Sequence, residues 1–292
     1  MPCIEVEELT HVYYPGTPLE IVALRDIELT VYDGEFIALA GSAGSGKSTL
    51  VQHFNGLLLP TAGCVKVLGR AISDKQHRQQ LWRQVGLVFQ FPERQIFSNT
   101  VFEDIAFGPR NLGWDSTTVS KQVKDTVALV GLPEEILSAD PRTLSGGMLR
   151  RVAICGVLAM RPRILIMDEP GAGLEPATRQ LILANIKEIQ AQHGMTVILI
   201  THHLEDAAVF AERVAVLHQG VLLSIGPTRE VLSQTELLHR AGLKAPFAVE
   251  LAQRLSQEGI PLPSLPQSIE DVAQLLQQLL QTNGARPGGA SL

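Results

Sequence analysis

The sequence predicts an α/β protein: a parallel sheet with helices on both faces, an inserted helical segment, and a small, mainly helical C-terminal extension. Three observations carry this. Short apolar runs of strand length recur at Glu35–Ala40, Arg163–Met167 and Thr196–Ile200, the pattern of strands buried on both faces. Helix-like segments at about Lys47–Leu57 and Ala177–Gln192 alternate with them. The strand signal then vanishes between Pro92 and Met160, and the composition shifts again after Gly226-Pro227.

Along the chain, Cys3–Val6 reads as a strand, Tyr13-Tyr14-Pro15-Gly16 as a turn, and Ile27–Val31 as a second strand. Asp33-Gly34 is a hairpin-type turn leading into Glu35–Ala40. Helices are expected at Val101–Phe107, Ser116–Val130 and Gly147–Met160, a helical subdomain over about 93–160 inserted in the sheet domain. Residues 1–227 make one domain on this reading and 228–292 an extension. In the extension, Thr228–Leu238 and Pro246–Gln257 read as single helices, and Pro261, Pro263 and Pro266 as a stiff break. Ser268 can cap a last helix with Ile269, Val272, Leu276 and Leu279 on one stripe, expected to bury against a second subunit and so serve dimerisation, with local packing onto residues 228–257 as the alternative. The tail 283–292 reads as disordered.

Composition narrows the function. With 45% hydrophobic and 18% charged residues, the 292-residue chain can bury a sizeable core. Its net charge of -6 argues against a non-specific nucleic-acid binder, which needs a basic footprint. Cys3, Cys64 and Cys155 form no C-x-x-C pair, so neither a disulfide framework nor a zinc site is expected. Met1–Gly16 lacks the apolar core of a signal peptide. The longest apolar stretch, Val152–Met160, is far shorter than the ~20 residues that span a bilayer. Any membrane role must come through a partner.

Gly41-Ser42-Ala43-Gly44-Ser45-Gly46-Lys47-Ser48-Thr49 follows an apolar strand and opens a helix, matching G-x-x-x-x-G-K-[ST]. Phosphates need this arrangement. The glycines let backbone N–H groups turn inward, the helix N-terminus adds positive potential, Lys47 reaches the terminal phosphates and Ser48 can ligate Mg²⁺. Ile164–Met167 ends in Asp168-Glu169. Asp168 can hold Mg²⁺ at the strand's carboxyl end, and Glu169 is placed to deprotonate an attacking water. Leu144-Ser145-Gly146-Gly147-Met148 is a second anion-binding helix start.

A phosphate loop, an LSGG turn, a strand ending in Asp-Glu and a later Thr201-His202, in that order, resemble an ATP-binding cassette ATPase over about residues 3–226. The resemblance implies a RecA-like core with an N-terminal antiparallel part and an inserted helical subdomain, using ATP and Mg²⁺. It also implies that Tyr14 or its neighbour Tyr13 stacks on adenine. Gln90 would sense Mg²⁺ and the attacking water, and His202 would contact the γ-phosphate while His203 faces elsewhere. Gly173-Leu174-Glu175-Pro176 resembles the loop that crosses the dimer interface. Gly86–Phe97, Ala106–Pro109 and Ala252–Leu255 with Gly259–Pro261 are similar to the ATPases of energy-coupling factor (ECF) importers of vitamins and transition-metal ions.

That likeness implies several partners: a second cassette subunit (a paralogue or a second copy), a transmembrane coupling subunit and a membrane protein that captures substrate, with no nucleic acid. It implies a peripheral place on the cytoplasmic face of the cell membrane. An ATPase of another ABC importer class, or a regulatory subunit with reduced turnover, are the alternatives. Met148 and Glu175 stand where the family pattern has Gln and Asp, which predicts two unequal composite sites, as in a paralogous heterodimer.

Overall fold

The structure, a computed structural model, describes residues 1–260, 266 and 269–284. The chain starts with two long antiparallel strands, β1 (Pro2–Tyr13) and β2 (Ile21–Tyr32). Both run well beyond the short strands expected at Cys3–Val6 and Ile27–Val31. Register shifts along the pair, around Val6/Leu9 and Leu9/His11, break the strict alternation on which a periodicity reading depends. The link between them turns at Tyr14 (φ +52°) and Gly16 (φ +73°), as expected.

β3 (Phe36–Ala40) follows the Asp33-Gly34 turn, but β2 and β3 belong to different sheets, so that turn closes no hairpin. Glu35 decides this: its buried carboxylate accepts the Tyr32 N–H at 2.8 Å and pairs with Arg213 at 3.0 Å, redirecting the chain. α1 (Lys47–Phe54) stops short of Leu57, and β4 (Ala62–Val67) and β5 (Arg70–Ala71) complete a four-stranded sheet in the order β2-β1-β4-β5. α2 (Lys75–Arg78), capped by Asp74, leads to β6 (Val85–Val88).

The helical segment holds α3 (Val101–Asn111), α4 (Ser116–Leu129) and α5 (Gly146–Leu158). Their starts are dictated locally: the Thr100, Asp115 and Ser145 side chains each accept backbone N–H groups of the first turn. β7 (Ile164–Asp168), α6 (Pro176–His193), β8 (Thr196–Thr201), α7 (Leu204–Phe210), β9 (Arg213–His218) and β10 (Val221–Pro227) complete the main sheet. Its six strands run in the order β10-β9-β3-β8-β7-β6, parallel except for β10. The sequence leaves β4, β5, β6, β9 and β10 unassigned. β6 is only four residues long and holds Gly86, where a Cβ would stand 2.5 Å from Val157 of α5.

The main sheet is apolar on both faces because each face has its own core. Phe36, Ala38 and Ala40 of β3, with Val197 and Leu199 of β8, join the helices in one cluster. Ile37, Leu39, Ile198 and Ile200 meet the small sheet and Phe54 in the other. Each buried Val, Leu, Ile or Phe among them contributes about 1.5–3 kcal/mol.

Past β10, the helix expected over Thr228–Leu238 is two, α8 (Thr228–Leu232) and α9 (Thr235–Arg240). Ser233 and Gln234 both bond back to the Glu230 carbonyl, at 2.7 and 3.2 Å, and end the first helix. Val231, Leu238, Leu243 and Ala245 belong to the helix-side core. Core side chains thus continue past the boundary expected at 227, as far as Ala245. α10 (Phe247–Gln257) then packs on α11 (Ile269–Gly284). Val272 is 3% exposed within the single chain, so this part of the expected stripe is covered locally. The side chains of Ile269 and Leu279, Pro261, Pro263, Ser268 and residues 285–292 lie outside the described residues. Asn283 and Gly284, placed in the tail by sequence, are helical.

Candidate functional site

β3 delivers the Gly41–Thr49 loop to the carboxyl end of the main sheet, where α1 begins. Two of its glycines have no substitute. A Cβ on Gly46 (φ +103°) would stand 2.8 Å from the Ala23 carbonyl oxygen, and one on Gly41 would stand 2.4 Å from that of Leu217. Lys47 Nζ donates to the carbonyl oxygens of Gly41 and Ser42, both at 2.8 Å, and so closes the loop on itself. Burial lowers the Lys47 pKa, while the nearby Glu169 and Asp168 carboxylates act to raise it. A phosphate entering the loop would replace the carbonyl partners with a stronger, charge-assisted one.

β7 brings its two acids to the same place. Ser48 Oγ donates to Asp168 Oδ2 at 2.7 Å, joining the phosphate loop to the strand end across 120 residues of sequence. Burial raises the Asp168 pKa against the Ser48 hydrogen bond, with the Glu169 charge adding to the rise and Lys47 opposing it. Glu169 sits at φ +49°, with its own N–H donated to the Ile200 carbonyl at 3.0 Å. Such a backbone is rare for a residue other than glycine. Gln90 Nε2 donates to Glu169 Oε2 at 3.1 Å, and His202 Nδ1 lies 2.9 Å from Oε1. Ser42, Gln90, Glu169 and His202 share one cleft of about 560 Å³. Held by two flanking groups, Glu169 can accept a proton from a water bound there.

His203, expected to face elsewhere, also borders this cleft, its ring 4.1 Å from that of His202. Its backbone N–H donates to Thr201 Oγ1 at 3.0 Å, and burial, with Arg179 beside it, lowers the pKa of its ring.

The two tyrosines separate. Tyr13 lines a second cavity of about 550 Å³ with Ala23 and the Gly44–Thr49 stretch, and its hydroxyl lies 3.2 Å from Thr49 Oγ1. Tyr14 is 64% exposed and lines neither cavity. Tyr14 lies one residue past β1, at φ +52°, and does not share the face of Tyr13. Ser145, Gly146 and Gly147 stand at the N-terminus of α5 and line neither cavity. Met148, beside them, packs half-buried against the helix-side core.

Two features escape sequence reasoning. Arg150, 4% exposed, forks onto Glu93 with its Nε and Nη2 at 3.2 and 3.1 Å, and its Nη1 donates to the Ala172 carbonyl. Burial alone would raise the Glu93 carboxyl, but the Arg150 hydrogen bonds, a backbone hydrogen bond and the Arg150 and Arg94 charges together outweigh it and hold the pKa low. One guanidinium thus ties together the segment after Gln90, the Ser-Gly-Gly helix and the loop after Glu169. The second feature is the Gly242–Lys244 turn of the extension, which reaches the rim of the Glu169 cleft. A Cβ on Gly242 (φ +72°) would touch Ser42 Cβ at 3.4 Å. The glycine after α9 was the available signal, as a helix C-cap, but not for where the turn would lie.

The family model for ABC transporters matches residues 24–172, from the wall of the phosphate loop to past Glu169. The chain belongs to that family. It is 44% identical over 279 residues to the "Energy-coupling factor transporter ATP-binding protein EcfA2" of Caldanaerobacter subterraneus subsp. tengcongensis, covering 95% of this chain and 98% of that one. The protein of the same name from Symbiobacterium thermophilum is 47% identical over 264 residues, covering 90% and 91%. Among solved structures, cbiO1 from Clostridium perfringens, part of the ABC transporter complex cbiONQ, superposes with a TM-score of 0.74 at 34% identity over 86% of this chain and 99% of that chain. The ATP-binding cassette MJ0796, in a dimeric post-hydrolysis state with ADP and Pi, gives 0.70 at 28% identity over 77% and 99%. The resemblance drawn from the motifs holds at the level of the ECF ATP-binding proteins. The chain is an ATP-binding, ABC-type ATPase with the cassette fold. No helix among its described residues is long and apolar enough to cross a membrane.

Proposed function

We propose that this chain is the ATP-hydrolysing subunit that energises an ECF importer of vitamins or transition-metal ions, through ATP-driven closure of a cassette dimer. The observation that carries it is Glu169, held between Gln90 and His202 at 3.1 and 2.9 Å beside the phosphate loop. In this reading Gly41, Ser42, Gly44, Ser45, Gly46, Lys47, Ser48 and Thr49 wrap the phosphates. Glu169 is the base for the attacking water, Gln90 orients that water, and His202 contacts the γ-phosphate. Tyr13, not Tyr14, faces adenine, because only its ring borders the loop's cavity.

Mg²⁺ fits this donor set. The Ser48 hydroxyl and the Asp168 carboxylate, 2.7 Å apart, are hard oxygens, and Gln90 offers a third. Burial and the neighbouring Glu169 raise the Asp168 pKa, a cost that a cation relieves. When bound, the ion neutralises charge on the phosphate oxygens. Ser145, Gly146 and Gly147 then serve the nucleotide of a second cassette subunit, whether a paralogue or a second copy.

A transmembrane subunit would take up the motion through the segment after Gln90, with a separate membrane protein capturing the substrate at the other face. The chain would sit peripherally on the cytoplasmic side. The extension would add a subunit contact through its outer surface, where Phe247 stands 54% exposed. Purification of the tagged chain from its native membrane tests the reading. A second cassette subunit and two membrane proteins should accompany it, with ATPase activity that Glu169→Gln removes. Co-purification with nucleic acid alone, or full activity in that variant, would overturn it.

A further inference from the structure

Behind the wall of the phosphate loop lie two histidines that no step above uses. His11 of β1 and His53 of α1 are buried, with ring centroids 4.9 Å apart in an edge-on contact. Their hydrogen bonds leave one choice of tautomer. His53 Nδ1 is 2.8 Å from the Thr49 carbonyl oxygen, which can only accept, so Nδ1 carries the proton. The neutral ring then leaves Nε2 as an acceptor, and its 3.2 Å contact with His11 Nδ1 makes His11 the donor. The same His11 N–H is shared with the Leu59 carbonyl oxygen at 3.2 Å. Burial pushes the His53 pKa down from 6.5 to about 4, which keeps that ring in the neutral form the network needs.

The network continues to the site. The Tyr13 ring meets that of His11 at 4.6 Å and 76°, and the Tyr13 hydroxyl lies 3.2 Å from Thr49 Oγ1. Tyr13 is therefore held at both ends, by His11 at its ring and by Thr49 at its hydroxyl. The Thr49 carbonyl is in turn bonded by His53.

We propose that the His11–His53 pair positions the base-binding wall of the site, fixing Tyr13 against α1 so that adenine meets a pre-ordered ring. The proposal rests on the reading of Tyr13 as the adenine-facing residue. An aromatic side chain already fixed gives up no rotamer freedom on binding, so more of its stacking energy goes into affinity. The pair acts on the base and leaves the phosphates to Lys47 and the backbone. It is a positioning device, not a catalytic one.

The test compares Mg-ATP with Mg-tripolyphosphate, which lacks the base, as ligands of the full chain. His11→Ala should weaken ATP about tenfold, within the range that base–aromatic stacking carries, and leave tripolyphosphate unchanged. In a double variant with Tyr13→Ala it should add nothing further. His11→Asn, which keeps an N–H donor for His53 but has no ring to meet Tyr13, should recover only part of the lost ATP affinity. Melting temperatures confirm that the variants compared are folded.

Equal weakening of both ligands would mean that the pair only braces α1, and would overturn the proposal. So would full additivity with Tyr13→Ala, or an unchanged ATP affinity in His11→Ala when Tyr13→Ala loses it. If Tyr13→Ala itself binds ATP normally, the reading of Tyr13 fails and takes the proposal with it.

Discussion

Two helix N-termini in this chain offer backbone donors to an anion, and they are built very differently. The start of α1 is enclosed. Gly46 caps it without a side-chain bond, Lys47 folds back over the loop, and β1, β2 and β7 supply walls through Tyr13, Ala23 and Asp168. The start of α5 stands open. Ser145 caps it through the Met148 N–H at 3.4 Å, and Ser145 and Gly146 face solvent. The same local device is thus open to solvent in one place and walled into a pocket in the other. What separates them is the tertiary surround, and the open half is the one whose nucleotide would come with a second subunit.

Variants can break or sharpen this contrast. The largest effect is expected at the closed site: Glu169→Gln should lower steady-state ATP turnover about 10²–10⁴-fold, with ATP affinity retained. A joint loss of binding would mean that Glu169 shapes the pocket instead of acting on water. Between the two sites, Glu93→Leu strands the Arg150 guanidinium in the interior and should cost about 3 kcal/mol in denaturant unfolding. A cost near zero would show that Arg150 finds the Ala172 carbonyl sufficient.

The wall behind the closed site carries a pH dependence. Unfolded His53 takes a proton near its ordinary 6.5, whereas native His53 does so only near 4. Stability from this group is intact above 6.5 and drains away as the pH falls toward 4, by about 3 kcal/mol in all. Unfolding curves collected across that window should lose this dependence in His53→Phe.

Lys47→Ala should weaken Mg-ATP about 10–100-fold in the isolated chain, the worth of a charge-assisted contact. Ser145→Ala should leave that affinity unaltered and slow turnover only in the assembled transporter. An effect of Ser145→Ala on the isolated chain would erase the contrast between the two helix starts. The smallest change is expected for Met148→Gln. Its thioether already packs on the helix-side core, so turnover at the partner's phosphate loop should shift by about threefold or less. The variant's own nucleotide affinity, read by titration, should stay put.

Much of the site is legible in the sequence. The Gly41–Thr49 loop, the acids ending β7 and the cap of α5 are each specified within a dozen residues, because backbone conformation, glycine spacing and capping are local. Strand lengths are less legible. The shifts in register between β1 and β2 come from pairing, which a one-strand periodicity cannot register. The break between α8 and α9 lies in Ser233 and Gln234, but nothing in an apolar pattern says that their side chains will bond back to Glu230. The extension reads as a separate unit, yet Leu243 and Ala245 share the helix-side core and carry Gly242 to Ser42.

By itself, then, the sequence determined the chemistry that the chain can perform: the phosphate-wrapping loop, the acids beside it and the order of the motifs. Only the tertiary structure decided which tyrosine borders the loop, and that Arg150 ties Glu93 to Ala172. It also decided that two histidines 42 positions apart share one proton arrangement beneath the site. The reason is physical. A turn or a cap is settled by the sterics and hydrogen bonds of neighbouring residues. A contact between distant residues exists only after the hydrophobic cores on the two faces of the main sheet have closed and fixed what lies opposite what.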